Sequence, residues 1–347
     1  MCKFAIPLIF LFASVACVPV ANEGGSTSGE EAMQEEAMQE ESGVAEMGEA
    51  SFPVTVVDEG GTEYTFDEAV ERIICLSATC IDDMFVLGMQ PLAVSDVFSL
   101  IYRQVYGDTA EDLPIVPTNG GFQPDIEQII DLEPEVVMAQ IGIMDAIREP
   151  LEATGNMKVL LSYTNSVDEV KQGLRDIAAM VGNPAPAEAA IEDFEATMAE
   201  LQSKITEPAP LMIVFGPSGS DTMYLETTDA QTCNTLELYG LADCLFDLPE
   251  NAGAFGAFGF AEFTYEAILA EDPENVFFGG YDEGGEIVPE ILEQVNANPL
   301  WQALSAVQNE QIYPIEAWKY SGSSGITVLE IGITEAVATL YPDVFGE

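Results

Sequence analysis

Apolar positions fall into two textures along the chain. From residue 51 to about 165, and again after residue 205, short unbroken apolar runs alternate with stretches in which apolar residues recur every third or fourth position. Buried strands alternating with helices predict an α/β protein. The expected strands are Phe52–Val57 and Glu63–Phe66, a hairpin about Gly60-Gly61, then Arg72–Leu76, Leu92–Ser95, Val136–Ala139 and Val159–Ser162. The second series is Leu211–Phe215, Met223–Glu226, Val276–Phe278 and Ile312–Ile315.

Between the series, Ala187, Ile191, Phe194, Met198, Leu201 and Ile205 alternate at intervals of four and three, one apolar stripe on a helix of about five turns. The expected fold is therefore two Rossmann-like α/β lobes, 51–165 and 206–347, joined by a single long α-helix within a connecting segment 166–205. A single connection makes a rigid spine, and the ligand cleft falls between the lobes at the carboxyl ends of the strands. An internal repeat supports two lobes of similar build. Glu127-Gln-Ile129, Pro134-Glu135 and Val137 share the pattern E-x-I-x4-P-E-x-V with Glu266-Ala-Ile268, Pro273-Glu274 and Val276. Each copy describes a short helix that stops before a proline and feeds a strand.

The first residues carry an address. Lys3 precedes the apolar run Phe4–Val15 and then Ala16-Cys17, too short to span a bilayer and ordered like a secretory signal over 1–16. Cys17 after Ser14-Val15-Ala16 resembles a bacterial lipobox, with Ser14 where that motif usually has Leu, so Cys17 is the expected lipid-bearing residue. The alternative is an ordinary signal peptide with an incidental cysteine; both predict export. Residues 17–50, with Gly24-Gly25-Ser26 and the repeated Glu-Glu-Ala-Met-Gln, read as an acidic low-complexity tether. Cys75, Cys80, Cys233 and Cys244 remain, an even number suited to two local disulfides in an oxidising compartment. Buried free thiols or a four-thiolate metal site are the alternatives.

Charge narrows the chemistry. The 347 residues include 61 acids, 9 bases and no histidine, for a formal charge of −52, yet 48% are hydrophobic. Nucleic acid and anionic membrane surfaces are excluded as partners for want of clustered cations, so the membrane is reached only through the anchor. Any histidine-dependent triad, zinc site or imidazole base is excluded too, and a non-enzyme without intrinsic cofactor or protein-held metal is expected. Loops after the strands supply candidate ligand contacts: Tyr102, Arg103, Tyr106 and Phe122 in the first lobe, Tyr281, Trp318 and Lys319 in the second. Aromatic faces with a few cations suit a bulky chelate, rings packing on its organic shell and a cation meeting its oxygens.

Several segments resemble the substrate-binding proteins of ABC importers for ferric siderophores, haem and cobalamin. They are Phe52-Pro-Val-Thr-Val-Val57, Glu71-Arg-Ile-Ile74, Leu87-Gly-Met-Gln-Pro-Leu-Ala-Val-Ser95 and Glu127 to Val137, then Asn298-Pro-Leu-Trp301, Gln311-Ile-Tyr-Pro314 and Leu340-Tyr-Pro342. The resemblance covers residues 51 to 345. It implies a monomeric carrier outside the cell membrane that captures a ferric-siderophore chelate and hands it to a permease and its ATPase. Glu127 and Glu266 match the family's permease-docking glutamates, and Arg103 and Trp318 match its habit of an arginine and aromatics in the cleft. Cobalamin or haem binding is the alternative within the family; without histidine, haem iron would need a tyrosine ligand. The strongly negative body would repel a polyanionic chelate over roughly 8 Å. A different class, an acidic surface lipoprotein with an adhesive or cation-binding role, finds no D-x-[DN]-x-[DN]-G loop to support it.

Overall fold

Successive residues of each buried strand face different cores, as the period of two requires. The computed structural model describes residues 51–118, 122–217, 223–252, 255–281, 289–320 and 324–346. The hairpin β1 (Val54–Val57) and β2 (Glu63–Phe66) comes first. A parallel sheet in the order β5-β4-β3-β6-β7 follows, built from β3 (Ile73–Cys75), β4 (Ala93–Ser95), β5 (Ile115–Val116), β6 (Val136–Gln140) and β7 (Lys158–Ser162). Its connections hold α1 (Ala78–Val86), α2 (Asp96–Tyr106), α3 (Asp108–Glu111), α4 (Ile126–Asp131) and α5 (Arg148–Glu152). Then come α6 (Val167–Met180) and α7 (Pro184–Lys204).

The second sheet has the order β11-β9-β8-β12-β13, with β10 also pairing β8. Its strands are β8 (Ala209–Pro217), β9 (Tyr224–Glu226), β10 (Ala242–Cys244), β11 (Phe260–Glu262), β12 (Asn275–Tyr281) and β13 (Ile312–Pro314). Strand β9 runs antiparallel to β8 and β11, while the other pairs are parallel. Helices α8 (Gln231–Leu238), α9 (Tyr265–Glu271), α10 (Pro289–Asn296), α11 (Ser305–Gln308), α12 (Ile326–Leu340) and α13 (Pro342–Phe345) complete it. The α/β architecture with two parallel-stranded sheets agrees with the sequence reading. β5, β10 and β11 escaped it because strands of two or three residues show no period.

Three apolar clusters organise the body. Ile73, Cys75, Val136 and Met138 point into one that continues through α1, α6, α7 and α12 to Ile213 and Phe215 of β8. Their neighbours Ile74, Val137 and Ala139 turn to the outer face under α4 and α5, and Met212, Val214 and Val276 do the same under α9 and α10. Strand β6, Val-Val-Met-Ala-Gln, is buried throughout, as a strand covered on both faces must be.

The segment 166–205 is two helices, not one. Gly182, at φ 74°, stops α6 in a left-handed turn that L side chains resist, and Pro184 then starts α7. Helix α7, 21 residues and roughly 30 Å long, buries the expected stripe from Ala187 to Leu201 against α1, α6 and α12. Cys75 is bonded to Cys80 and Cys233 to Cys244, with Cα separations of 5.4 and 5.8 Å. Among the described residues no helix is long and apolar enough to cross a membrane. The signal segment, Cys17 and the tether lie outside the described residues.

Candidate functional site

In each sheet the chain fills one side of a strand and then the other. β3 has β4 and β5 on one side and β6 and β7 on the other; β8 has β9 and β10 on one side and β12 and β13 on the other. Such a reversal marks, at the strands' carboxyl ends, the ordinary ligand position in open α/β sheets. Residues next to these ends tie the two halves together. The Gln231 amide donates to Thr164 Oγ1 at 2.9 Å and to the Ser324 carbonyl at 2.8 Å, and its oxygen accepts from Ser324 N–H. Asn165 donates to the Ala257 carbonyl at 2.9 Å.

Two helices start here without a capping side chain of their own, and a buried acid from outside each helix caps it. Helix α12 begins at Gly325, so its orphan N–H groups need an outside acceptor. Asp82 of α1 supplies it: its carboxylate accepts from Thr327 N–H at 2.8 Å and from the Tyr106 hydroxyl. A Cβ on Gly325 would overlap Asp82, which is why glycine stands there. Helix α8 begins at Ala230, and Glu226 Oε1 accepts from Thr232 and Cys233 N–H at 2.8 and 3.1 Å. Glu226 Oε2 has no partner among the described residues. Burial pushes the Glu226 carboxyl up to about 8, against the bonds from Cys233 and Thr232. Burial also raises Asp82, with Tyr106 and Thr327 opposing. Its neighbour Asp83, fully buried with neither oxygen bonded among the described residues, is pushed well up by burial and by the charge of Asp82.

An aromatic chain lines the carboxyl ends of β6 and β7. Tyr163, just past β7, packs on Phe258 at 4.6 Å between ring centres; Phe255 follows at 6.4 Å and Tyr224 at 5.1 Å. Phe255 is 46% exposed. Phe98 and Phe122, 6.5 Å apart, form a second pair next to β4 and β5, with Phe122 40% exposed.

The residues expected to touch ligand divide. Tyr102 is 1% exposed and stacks on Tyr106, which stacks on Phe85, so both rings belong to the packing of α1 and α2. Lys319 is held by Glu316 at 2.6 Å and by Glu335, not presented free. Phe122 is open, and Trp318 is half-buried with its Nε1 lacking a partner among the described residues. Tyr281 ends β12, but its side chain lies outside the described residues, as do Gly120, Gly121 and residues 218–222. Glu127 and Glu266 occupy the same place in the two repeats: second residue of α4 and of α9, exposed, behind the N-caps Asp125 and Thr264. The repeat extends to the backbone, since Glu133 and Asp272, each before its proline, have φ 49° and 46°. Sequence reasoning missed Phe255, Phe258, Glu226 and Gln231. The run Phe255-Gly-Ala-Phe258-Gly-Phe260, aromatic rings spaced by small residues, was the available signal.

Cations are nearly all committed. Arg148 pairs with Asp58, Lys171 with Glu195, Arg175 with Glu188 and Lys204 with Glu200. Arg72 donates to the Glu133 and Leu132 carbonyls, and Lys158 to the Thr65 carbonyl over the Phe66 ring. Arg103, in the last turn of α2, alone has no ion pair or hydrogen bond among the described residues, and its Nε is buried.

Known proteins resemble this arrangement. A family model described as periplasmic binding protein matches residues 73–317. The Fe(3+) dicitrate-binding periplasmic protein FecB of Escherichia coli (strain K12) is 24% identical over 281 residues, 81% of this chain and 88% of that one. The Fe(3+)-citrate-binding protein YfmC of Bacillus subtilis (strain 168) is 22% identical, covering 82% and 84%. Staphylococcus aureus SirA, solved with staphyloferrin B, superposes with a TM-score of 0.67 at 16% identity, over 83% of this chain and 98% of that one.

Proposed function

Because the chain belongs to the periplasmic binding protein family, whose members bind solutes rather than transform them, we propose that it is the extracytoplasmic substrate-binding component of an ABC importer. It captures an iron(III)-siderophore chelate and delivers it unchanged to a permease and its ATPase. The observation that carries this reading is the pair of strand-order reversals, one per sheet, with Gln231, Thr164 and Asn165 bonded between the two halves and the exposed rings of Phe122 and Phe255 near the strand ends in sequence. Relatives named for ferric citrate binding align along four fifths of the chain. Residues 1–16 are the export signal, Cys17 carries the lipid, and 17–50 tether the body to the outer face of the membrane.

Glu127 and Glu266 are the docking pair in this reading. Their matching positions on α4 and α9, exposed and without partners among the described residues, support it. The test is a titration read by Trp318, followed by uptake into proteoliposomes holding the permease. A ferric siderophore should quench the fluorescence at submicromolar concentration, and Glu127→Lys with Glu266→Lys should abolish uptake while leaving affinity unchanged. Undiminished uptake by the double variant would remove the docking assignment. Indifference to every chelate would remove the importer reading.

A further inference from the structure

The chain holds nine cations, and Lys3 precedes the described body. Of the other eight, seven are engaged by carboxylates, carbonyls or a ring, leaving Arg103 without a partner among the described residues. The loops outside the described residues, 119–121, 218–222, 253–254, 282–288 and 321–323, add no Lys or Arg. They do contain Asp221, Asp282, Glu283 and Glu286. Lys319 is the only cation beyond residue 205, and two glutamates hold it. A polyanionic chelate needs several fixed positive charges where it is desolvated, since a buried charge without a partner is strongly disfavoured. The second lobe has none to offer. What it presents at the strand ends is Tyr224, Phe255 and Phe258 beside Glu226, whose second oxygen is unpartnered.

Resting on the importer reading above, we infer that the ligand is an electroneutral metal chelate with an apolar rim, its organic shell packed on the Phe255 and Phe258 rings and one polar group met by Arg103. Ferric trihydroxamates and corrinoids share that chemistry; ferric citrates and ferric tris-catecholates do not. The oxygens of a ferric trihydroxamate, neutral as a whole, or the amides of a corrinoid accept from a single guanidinium without requiring further cations. Aromatic faces bind such a shell through buried area, which salt does not screen.

The experiment titrates the full chain with four probes at low and high salt: ferrichrome, cyanocobalamin, ferric dicitrate and ferric enterobactin. One of the neutral probes should bind at least about tenfold more tightly than either anion, with a dissociation constant changing less than about twofold with salt. Which neutral probe binds separates the trihydroxamate from the corrinoid source. Phe255→Ala should weaken that probe by about tenfold, the surface position of the ring keeping the variant folded. Equal or tighter binding of an anion would overturn the inference and leave the importer reading standing. Binding of none of the four would overturn both.

Discussion

Asp82 and Glu226 are the same device in the two halves of the molecule, used differently. Each is a buried carboxylate at the start of a helix whose own N-cap, Gly325 or Ala230, offers no side-chain acceptor. Asp82 reaches from α1 to α12, 245 residues away, and both its oxygens are bonded. Glu226 serves the adjacent α8 through one oxygen, and the other has no partner among the described residues. The satisfied acid joins the halves, whereas burial pushes the half-satisfied one up to about 8. In both, burial raises the carboxyl and the donors aimed at it oppose that rise.

The largest effect that tests this contrast is a pH dependence. Glu226 rises from 4.5 to about 8 on folding, so the folded chain binds a proton that the unfolded chain has released. Its contribution to stability is complete below about 4.5 and is lost as pH climbs through about 8. Across that window stability should fall by about 1.4 kcal/mol per pH unit from this group, several kcal/mol in all. Glu226→Gln keeps the Oε1 acceptor and cannot ionise. Urea unfolding of both proteins from pH 5 to pH 8 should show the variant progressively more stable than the wild type. Parallel curves would mean that Glu226 is ionised in the fold. Neighbouring Tyr163 and Tyr320 sense the Glu226 charge but lie far above this range.

Next in size, Asp82→Ala should cost about 3 kcal/mol, because it leaves Thr327 N–H and the Tyr106 hydroxyl without their acceptor and opens a cavity beside Gly325. Gly325→Ala should be comparable, since its methyl meets Asp82. Asp82→Asn, which retains an acceptor, should fall between alanine and wild type. Thermal unfolding ranks the three. An Asp82→Ala loss under about 1 kcal/mol would show that α12 is capped by other means.

These two acids also mark where the sequence stopped being legible. The strands, the α7 stripe and the duplicated helix-to-strand pattern are local, and each left a period or a repeated phrase to read. The left-handed Glu133 and Asp272 were not legible, because a residue before proline is expected to be extended. Asp82 gave no such signal, because its partner lies in the last long helix and an Asp-Asp pair in an apolar stretch looks like surface. Lys319 was half legible. Glu316, three residues before it, was in view, but Glu335 came from α12 and removed the free charge that the loop position suggested. Tyr102 and Tyr106, expected in a loop after β4, lie instead on α2, where they stack on each other and on Phe85 of α1 and the Tyr106 hydroxyl meets Thr327 of α12, partners that the local sequence does not show.

The smallest effect belongs to Glu127 and Glu266, which sharpen the comparison from the opposite side. They too stand in the first turn of a helix, but the caps of α4 and α9 are already made by Asp125, accepting from Gln128 N–H, and Thr264, accepting from Ala267 N–H. Both glutamates are exposed and neither has an ion pair among the described residues. What each gives its helix is a screened interaction with the macrodipole, a few tenths of a kcal/mol. Glu127→Lys and Glu266→Lys should therefore each lower stability by less than about 1 kcal/mol, measured by urea unfolding at moderate salt. A larger loss would make them helix caps in the manner of Asp82 and Glu226. A small one leaves two acids, identically placed on two lobes, whose carboxylates have no work inside the fold and are open to a partner outside it.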